Sequence, residues 1–217
     1  MIDFVWKILW RTPLYPYVLK LAEDVYSRKA ERAWIRSGKR GVPPPRMKHE
    51  ILRKYLRDYG LRVVVETGTY RGGTVEALRR DVAEIYSIEL SVPLYQAARR
   101  RFKSAKNVKL VQGDSGVAIE AVVKELQEPA LFWLDGHYSG GVTAKGEKET
   151  PVLEELRHIF PSKNRSVILI DDAENFNGGA ESAYPSLDEL TAFVKSNCEN
   201  AEVSVEDNII RIVPLNV

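Results

Sequence analysis

Cysteine is nearly absent from this chain, since Cys198 is the single cysteine among 217 residues. An internal disulfide is therefore excluded, which suits a reducing compartment and predicts a cytoplasmic protein. Long apolar runs are absent as well. Lys7, Arg11 and Lys20 interrupt the aromatic stretch at residues 1–26, so no run approaches the roughly 20 residues that span a bilayer. The stretch also lacks the small-residue cleavage site of a signal peptide.

Basic and acidic residues are separated along the chain, although its net charge is only +2. Residues 1–62 hold 15 Lys or Arg against 6 Asp or Glu, whereas residues 63–217 hold 17 against 24. A basic, aromatic arm could contact an anionic membrane surface peripherally. It could equally pack on the acidic body of its own or a neighbouring subunit in a homo-oligomer. The sequence leaves these two interpretations open.

One segment, residues 37–46, is rich in helix-breaking residues and is typical of a linker. Its sequence, SGKRGVPPPR, places two glycines and three consecutive prolines between two helical patterns. The spacing predicts a helix over about residues 17–36 before the linker and another over MKHEILRKYLRDYG after it, stopped by Gly60. We therefore expect a helical N-terminal extension at residues 1–45 and one domain at residues 46–217.

From residue 61 onward, strand and helix patterns alternate. Short apolar runs rich in β-branched residues predict strands buried on both faces, and the segments between them have helical spacing. The Asp207-Asn208 link predicts that the last two strands form a hairpin. The predicted strands are LRVVVE, EIYSIE, VKLVQ, ALFWLD, SVILIDD, AEVSVED and NIIRIVP. Their order predicts an α/β, Rossmann-like, doubly wound seven-stranded sheet, mostly parallel, with a C-terminal antiparallel β-hairpin.

Polar residues follow each of the first three strands, at the edge where ligands bind in such sheets. Glu66 and Gly68 belong to a glycine-rich turn without the lysine of a phosphate-binding loop, and a carboxylate there disfavours a pyrophosphate. Glu89 lies about 20 residues further on, where a carboxylate accepts from both hydroxyls of a ribose, although it could also be an ordinary solvated turn residue. Asp114 and Ser115 can cap the next helix, and Asp114 can accept from the amine of adenine. These residues predict a nucleoside ligand that is not a phosphate ester.

The order and spacing of these motifs resemble those of the class I S-adenosylmethionine-dependent methyltransferases, over about residues 47–217. The resemblance implies a methyltransferase with S-adenosylmethionine as its donor. It implies that the amino-acid moiety of the donor lies at the first turn, its ribose at the second and its adenine at the third. The donor-binding residues that it implies are Glu66, Thr67, Gly68, Thr69, Glu89, Leu90, Gly113, Asp114, Ser115 and Asp135.

Three carboxylates, Asp135, Asp171 and Asp172, follow the fourth and fifth strands. Neighbouring carboxylates repel one another unless a cation lies between them, and Mg²⁺ prefers oxygen ligands. A divalent-metal site is therefore one interpretation. In the other, Asp172 caps the following segment, Asp171 meets a Lys or Arg, and no metal binds.

This part of the chain is similar to the macrocin and mycinamicin type of sugar O-methyltransferase, which has Asp-Gly-Asp-x-Tyr after the fourth strand and Asp-Asp after the fifth. The similarity implies metal ligands at Asp135, Asp171 and Asp172, and it puts His137 where the family has its base. Imidazole titrates near neutral pH and suits a general base, and Asp135 is a second catalytic candidate. His137 could instead be structural or a metal ligand. The following segment, YSGGVTAKGEKETP, departs from the family pattern.

The predicted function is the S-adenosylmethionine-dependent O-methylation of a hydroxylated small molecule, a sugar or another natural product, with or without a divalent metal. The Asn/Asp-Pro-Pro-Tyr/Phe signature of base N-methyltransferases is missing after the fourth strand, so no nucleic-acid partner is expected. The alternative is a non-catalytic S-adenosylmethionine-binding protein of the same fold that associates with a membrane or an oligomer.

Overall fold

The computed structural model describes residues 27–136, 150–162, 165–179 and 184–215. The chain divides into two compact units, Met1–Lys48 and His49–Val217. In the first unit, residues 27–36 form helix α1, and the rest of the predicted N-terminal helix lies outside the described residues. The indole Nε1 of Trp34 donates to the carbonyl oxygen of Gly41 at 3.3 Å, so the glycine-rich segment folds back over the end of α1.

Helix α2 spans Pro45–Asp58 and begins inside the predicted linker. A proline is tolerated in the first helical turn because its missing N–H would have no partner there. The linker prediction therefore extended too far, since Pro45 and Arg46 are helical. None of the described helices is long and apolar enough to cross a membrane.

The second unit is built on one seven-stranded sheet. Its strands are β1 Val63–Thr67, β2 Glu84–Glu89, β3 Val108–Gln112, β4 Ala130–Leu134, β5 Val167–Ile170, β6 Ala201–Glu206 and β7 Ile209–Pro214. The strand order is β3-β2-β1-β4-β5-β7-β6. Strands β1 to β5 pair in parallel, and β7 lies antiparallel to both β5 and β6. The predicted sheet, mostly parallel with a C-terminal hairpin, is confirmed.

Helices cover both faces of this sheet. They are α3 Gly73–Leu78, α4 Val92–Arg101, α5 Ser115–Glu125, α6 Val152–Ile159 and α7 Leu187–Asn197, with a short 3₁₀ turn at Ala173–Asn175. Because side chains alternate along a strand, Val65 and Phe132 face one apolar cluster, whereas Val64 and Leu131 face the other. Helices α5, α6 and α7 pack on the first cluster, and α2, α3 and α4 pack on the second. The predicted doubly wound arrangement is confirmed.

The predicted hairpin between β6 and β7 turns at Asp207 and Asn208, whose φ angles are 53° and 56°. Two consecutive left-handed residues match the twist of antiparallel strands, which explains the short link. Asn208 also reaches beyond the hairpin. Its carbonyl oxygen accepts from the N–H of Ala173, and its Oδ1 accepts from the N–H of Glu174, both at 2.9 Å. The hairpin thus fastens the segment that follows β5.

Candidate active site

The turn after β1 is pressed against the turn after β4. Gly68 has a φ of 85°, and a Cβ added there would lie 2.4 Å from the carbonyl oxygen of Asp135. The N–H of Asp135 donates to the carbonyl oxygen of Thr67 at 3.2 Å, and the N–H groups of Gly68 and Thr69 both donate to Ile88. Only glycine permits this conformation and this approach, which explains its place in the motif.

Glu66 supports that turn from inside the sheet. Its residue is 2% exposed, and its Oε2 accepts from the hydroxyl of Ser87 at 2.6 Å. The hydroxyls of Ser87 and Thr69 are 2.6 Å apart, so a short hydrogen-bonded chain joins the acid to the turn. Burial raises the pKa of Glu66 to about 8, although hydrogen bonds from Ser87 and Thr74 oppose the rise. At neutral pH this carboxyl is therefore largely protonated, and it braces the turn.

Glu89, at the end of β2, holds two turns with one carboxylate. Its Oε2 accepts from the N–H of Tyr70 at 2.7 Å, and its Oε1 accepts from the N–H of Ser91 at 2.8 Å. Tyr70 has a left-handed φ of 47° in this turn. Because a carboxylate oxygen has a second lone pair, both oxygens can still accept from a neighbouring pair of hydroxyls. The adjoining Leu90 is fixed through its carbonyl oxygen, which accepts from the side chain of Gln112 at 3.0 Å.

The turn after β3 leads directly into α5. The N–H of Gly113 donates to the carbonyl oxygen of Glu89 at 3.0 Å, which joins the second and third turns. Asp114 is the N-cap of α5, and its Oδ1 accepts from the N–H of Gly116 at 2.9 Å. The predicted helix cap is confirmed. Ser115 is buried at the first position of the helix.

The predicted metal ligands do not converge. Among the residues that the structure describes, no three His, Cys, Asp or Glu side chains lie close enough together to hold a metal ion. Asp171 is 3% exposed, whereas Asp172 is partly exposed and has a left-handed φ of 52°. This turn of the backbone sends the two consecutive carboxylates to different environments. The structure therefore does not support the Mg²⁺ site predicted at Asp135, Asp171 and Asp172. Asp172 begins the 3₁₀ turn, as the alternative expected, but makes no side-chain cap bond.

His137, the predicted base, lies outside the described residues, as do residues 138–149. The structure does place the residue before it. Gly136 packs so closely that a Cβ added there would lie 3.1 Å from the Thr67 hydroxyl and 3.2 Å from the Ser115 hydroxyl. The chain thus approaches His137 from a turn that touches the first and third strand ends.

Glu155 is a site residue that the sequence interpretation missed. It lies on α6 and is 1% exposed, with the hydroxyls of Ser115 and Thr67 beside its carboxyl. Burial raises its pKa to about 7, and the hydroxyls oppose that rise. The buried face of α6 contains residues 152, 155, 156 and 159, which is the spacing of an apolar helix stripe. An acid within such a stripe is the sequence pattern by which Glu155 could have been found.

A small pocket opens where β4 and β5 end. Its lining includes Gly136, Thr150, Glu155, Phe176 and Tyr184. The two aromatic rings meet edge to face, with centroids 5.1 Å apart. Burial and the charge of a nearby aspartate raise the pKa of Tyr184 to about 12, so its hydroxyl remains a donor at neutral pH. The lining of this pocket combines apolar side chains with hydroxyl and carboxyl groups.

Neither a protein-family model nor a curated protein sequence matches this chain. Several solved structures, however, are similar to this chain. An S-adenosylhomocysteine-bound methyltransferase of Podospora anserina is 18% identical, with 94% of this chain and 96% of that chain covered, at a TM-score of 0.55. An O-methyltransferase of Bacillus cereus in complex with S-adenosylhomocysteine is 15% identical over 91% and 97% of the two chains, at a TM-score of 0.56.

The O-methyltransferase TomG of Streptomyces achromogenes, involved in tomaymycin synthesis and solved with S-adenosylmethionine, is also similar. It is 15% identical over 86% of this chain and 88% of its own, at a TM-score of 0.54. A further structure with a TM-score of 0.53 is named for ribosomal RNA methylation. The shared fold therefore spans proteins named for different acceptors. The chain has the Rossmann-like fold of the S-adenosylmethionine-dependent methyltransferases.

Proposed function

We propose that this protein is an S-adenosylmethionine-dependent methyltransferase that methylates a hydroxyl oxygen of a small molecule. The observation that carries the proposal is the carboxylate of Glu89. It stands at the carboxyl edge of the sheet, fixed by the N–H groups of Tyr70 and Ser91, and it retains lone pairs for two hydroxyls. It lies beside the turn that only Gly68 can form. This arrangement suits a nucleoside that is not a phosphate ester.

The donor half follows from these contacts. In this proposal Glu89 accepts from the ribose hydroxyls, and Asp114, whose Oδ1 already accepts from the N–H of Gly116, uses its remaining lone pairs to accept from an exocyclic amine. The turn at Gly68 receives the amino-acid moiety, with Glu66 supporting it from beneath and not touching the ligand. When bound, S-adenosylmethionine supplies a methyl group on a sulfonium, which an oxygen nucleophile displaces. The protein contributes alignment of the two reactants, which lowers the barrier without a covalent intermediate.

The acceptor half needs a group that removes the hydroxyl proton. His137 is the candidate base on sequence grounds, because imidazole titrates near neutral pH and follows the fourth strand. The oxygen–carbon bond forms as the carbon–sulfur bond breaks, and the hydroxyl proton passes to the imidazole. No step is assigned to a metal, since the three aspartates do not form a site for one.

The proposed acceptor is a hydroxylated small molecule such as a sugar or another natural product. The pocket beside Gly136 supports this choice, because Tyr184 and Thr150 offer hydroxyls next to the apolar ring of Phe176. TomG, a structural relative, is named for the synthesis of a natural product. The missing Asn/Asp-Pro-Pro-Tyr/Phe signature argues against acceptors that are nucleic-acid bases.

Calorimetric titration with S-adenosylmethionine tests the proposal. The wild type should bind the donor, and Glu89→Ala should abolish binding because it removes both the ribose acceptor and the brace of two turns. Glu84→Gln is the matched control. Glu84 begins the same strand at the opposite edge, where it pairs with Lys109 at 2.8 Å, and its substitution should leave binding unchanged. A wild type that does not bind the donor contradicts the proposed function.

The assignment of the base is tested separately. His137→Ala should keep donor affinity while turnover of a hydroxylated acceptor falls by about 100-fold or more, the usual contribution of a general base. Equal loss of donor binding and turnover would mean that His137 does not act as the base alone.

A further inference from the structure

Glu155 is a buried acid that no step of the proposed reaction uses. It shares the apolar face of α6 with Val152, Leu156 and Ile159. Its Oε1 has no hydrogen-bond partner among the residues that the structure describes. A buried carboxyl oxygen without a partner costs free energy, so an apolar side chain would be more stable at this position. Packing alone therefore does not explain Glu155.

The surroundings of Glu155 connect three turns of the candidate site. The hydroxyls of Ser115 and Thr67 lie beside its carboxyl. The same two hydroxyls also lie close to Gly136, with Ser115 Oγ at 3.2 Å and Thr67 Oγ1 at 3.1 Å from the position of an added Cβ. Thr67 and Ser115 belong to the donor turns, and Gly136 directly precedes His137.

We propose that Glu155 is a positioning residue, which orients the hydroxyls of Thr67 and Ser115 so that the turn after β4 keeps a fixed place against the donor turns. Hydroxyl groups donate to a carboxyl oxygen, whereas an apolar side chain of similar volume offers them no acceptor. The buried Thr67 Oγ1 also has no partner among the described residues, so a small adjustment would pair it with Glu155 Oε1. The inference rests on the proposed function, because the turns that it links are those of the donor and acceptor sites.

The test compares three substitutions on α6. Glu155→Leu removes the acceptor and Glu155→Gln retains one. Glu154→Gln is the matched control, since Glu154 is the neighbouring acid of the same helix and pairs with Arg157 at 3.1 Å. Affinity for S-adenosylhomocysteine is measured by calorimetry, and thermal unfolding is measured without ligand.

A positioning role predicts that substitution of Glu155 changes the affinity for S-adenosylhomocysteine without lowering the melting temperature. Glu155→Leu should weaken S-adenosylhomocysteine binding about fivefold or more, the usual worth of one hydrogen bond. Its melting temperature should be unchanged or raised, because a buried acid is replaced by an apolar group. Glu155→Gln should restore affinity to within about twofold, and Glu154→Gln should match the wild type within the same margin. A purely structural residue would move affinity and stability together.

Amide hydrogen exchange provides a measurement that needs no ligand. The N–H of Asp135 donates to Thr67 across the two turns, so its exchange reports their contact. Glu155→Leu should exchange faster at this amide, whereas the amides of β7 should be unaffected. If Glu155→Leu does not fold, Thr67→Val replaces it with the same expected loss of affinity and faster exchange.

Two outcomes are decisive. Wild-type affinity and wild-type exchange at Asp135 in Glu155→Leu would overturn the positioning role. A wild type that does not bind S-adenosylhomocysteine would instead contradict the proposed function, and the exchange of Asp135 would still decide whether Glu155 holds the two turns.

Discussion

The first three strand ends and the last two are built by different means. At the first three, each carboxylate is held by a partner no more than 21 residues away, as for Glu66 with Ser87 and Glu89 with Tyr70. At the fourth and fifth ends, the contacts come from far along the chain. Asn208 fastens the segment after β5 through Glu174, 34 residues away, and Asp135, at the end of β4, donates its N–H to Thr67, which lies 68 residues earlier in the chain.

This difference indicates that the donor half and the acceptor half of the site are held in place by different kinds of contact. Carboxylates that are already oriented by backbone N–H groups lose little entropy when a ligand binds, so the donor half is preorganised. The acceptor half depends on the docking of α6 and the hairpin. A change in the hairpin can alter the acceptor half without disturbing the donor turns, whereas α6 contacts both halves through Glu155. Substitutions in the two halves should therefore have different consequences.

The largest effect is expected where the two halves touch. Gly68→Ala should lower the free energy of unfolding by about 4 kcal/mol or more, because its Cβ would meet the carbonyl oxygen of Asp135 at 2.4 Å. Gly60→Ala is the matched control, since Gly60 also has a positive φ of 61° but open space around it. It should cost about 1–2 kcal/mol, the strain of the left-handed backbone alone. Urea unfolding measures both, and equal losses would show that the turns are not in close contact.

The second effect is on the pH dependence of stability. The pKa values of Glu66 and Glu155 are raised by burial from 4.5 to about 8 and about 7. Both groups bind protons more tightly when folded, so their stabilisation is complete below pH 4.5 and is lost as the pH rises through 7 and 8. The free energy of unfolding should fall with pH over this range, by on the order of a few kcal/mol.

Glutamine variants assign that pH dependence to its source. Glu66→Gln should flatten the upper part of the curve and Glu155→Gln the lower part, as measured by urea unfolding between those pH values. Asp114 and Glu154 also raise the pKa of Glu155, so Glu154→Gln should shift its transition slightly to lower pH. A stability that is constant or rises with pH would contradict the burial of these two acids.

A smaller effect is expected within the donor half. Ser87→Ala should lower the free energy of unfolding by about 2 kcal/mol, because it leaves the buried Oε2 of Glu66 without its donor. Ser196→Ala is the control. That exposed hydroxyl donates to carbonyl oxygens of its own helix and accepts one long bond from the neighbouring Asn197 at 3.4 Å, so its removal should lower the free energy of unfolding by about 0.5 kcal/mol or less. Thermal and urea unfolding measure the loss of stability in both variants. Similar losses would mean that Glu66 is not buried in the unliganded protein.

The same division explains what the sequence could reveal. The sequence predicted the strands, the hairpin and the cap at Asp114, because each depends on a local pattern. The pattern is either the spacing of apolar residues or the type of residue in a turn. The three-aspartate metal site was predicted, but the structure does not support it, because side chains at neighbouring strand ends need not point together and Asp172 has a left-handed backbone. Glu155 was missed because its partners are distant in sequence, and only its place in the apolar stripe of α6 marks it.

The smallest effect concerns the two hydrogen bonds that Asn208 of the hairpin accepts from Ala173 and Glu174 after β5, here called the clasp. Asn208→Gly keeps the positive φ without strain but removes the Oδ1 that accepts from the N–H of Glu174. It should cost about 1 kcal/mol, the net worth of one hydrogen bond, and should speed amide exchange at Glu174. Asn208→Asp retains the oxygen and tolerates the backbone, so it should restore slow exchange. Because the clasp lies in the acceptor half, neither variant should alter the affinity for S-adenosylmethionine. A change in that affinity would show that the two halves are mechanically coupled through β5.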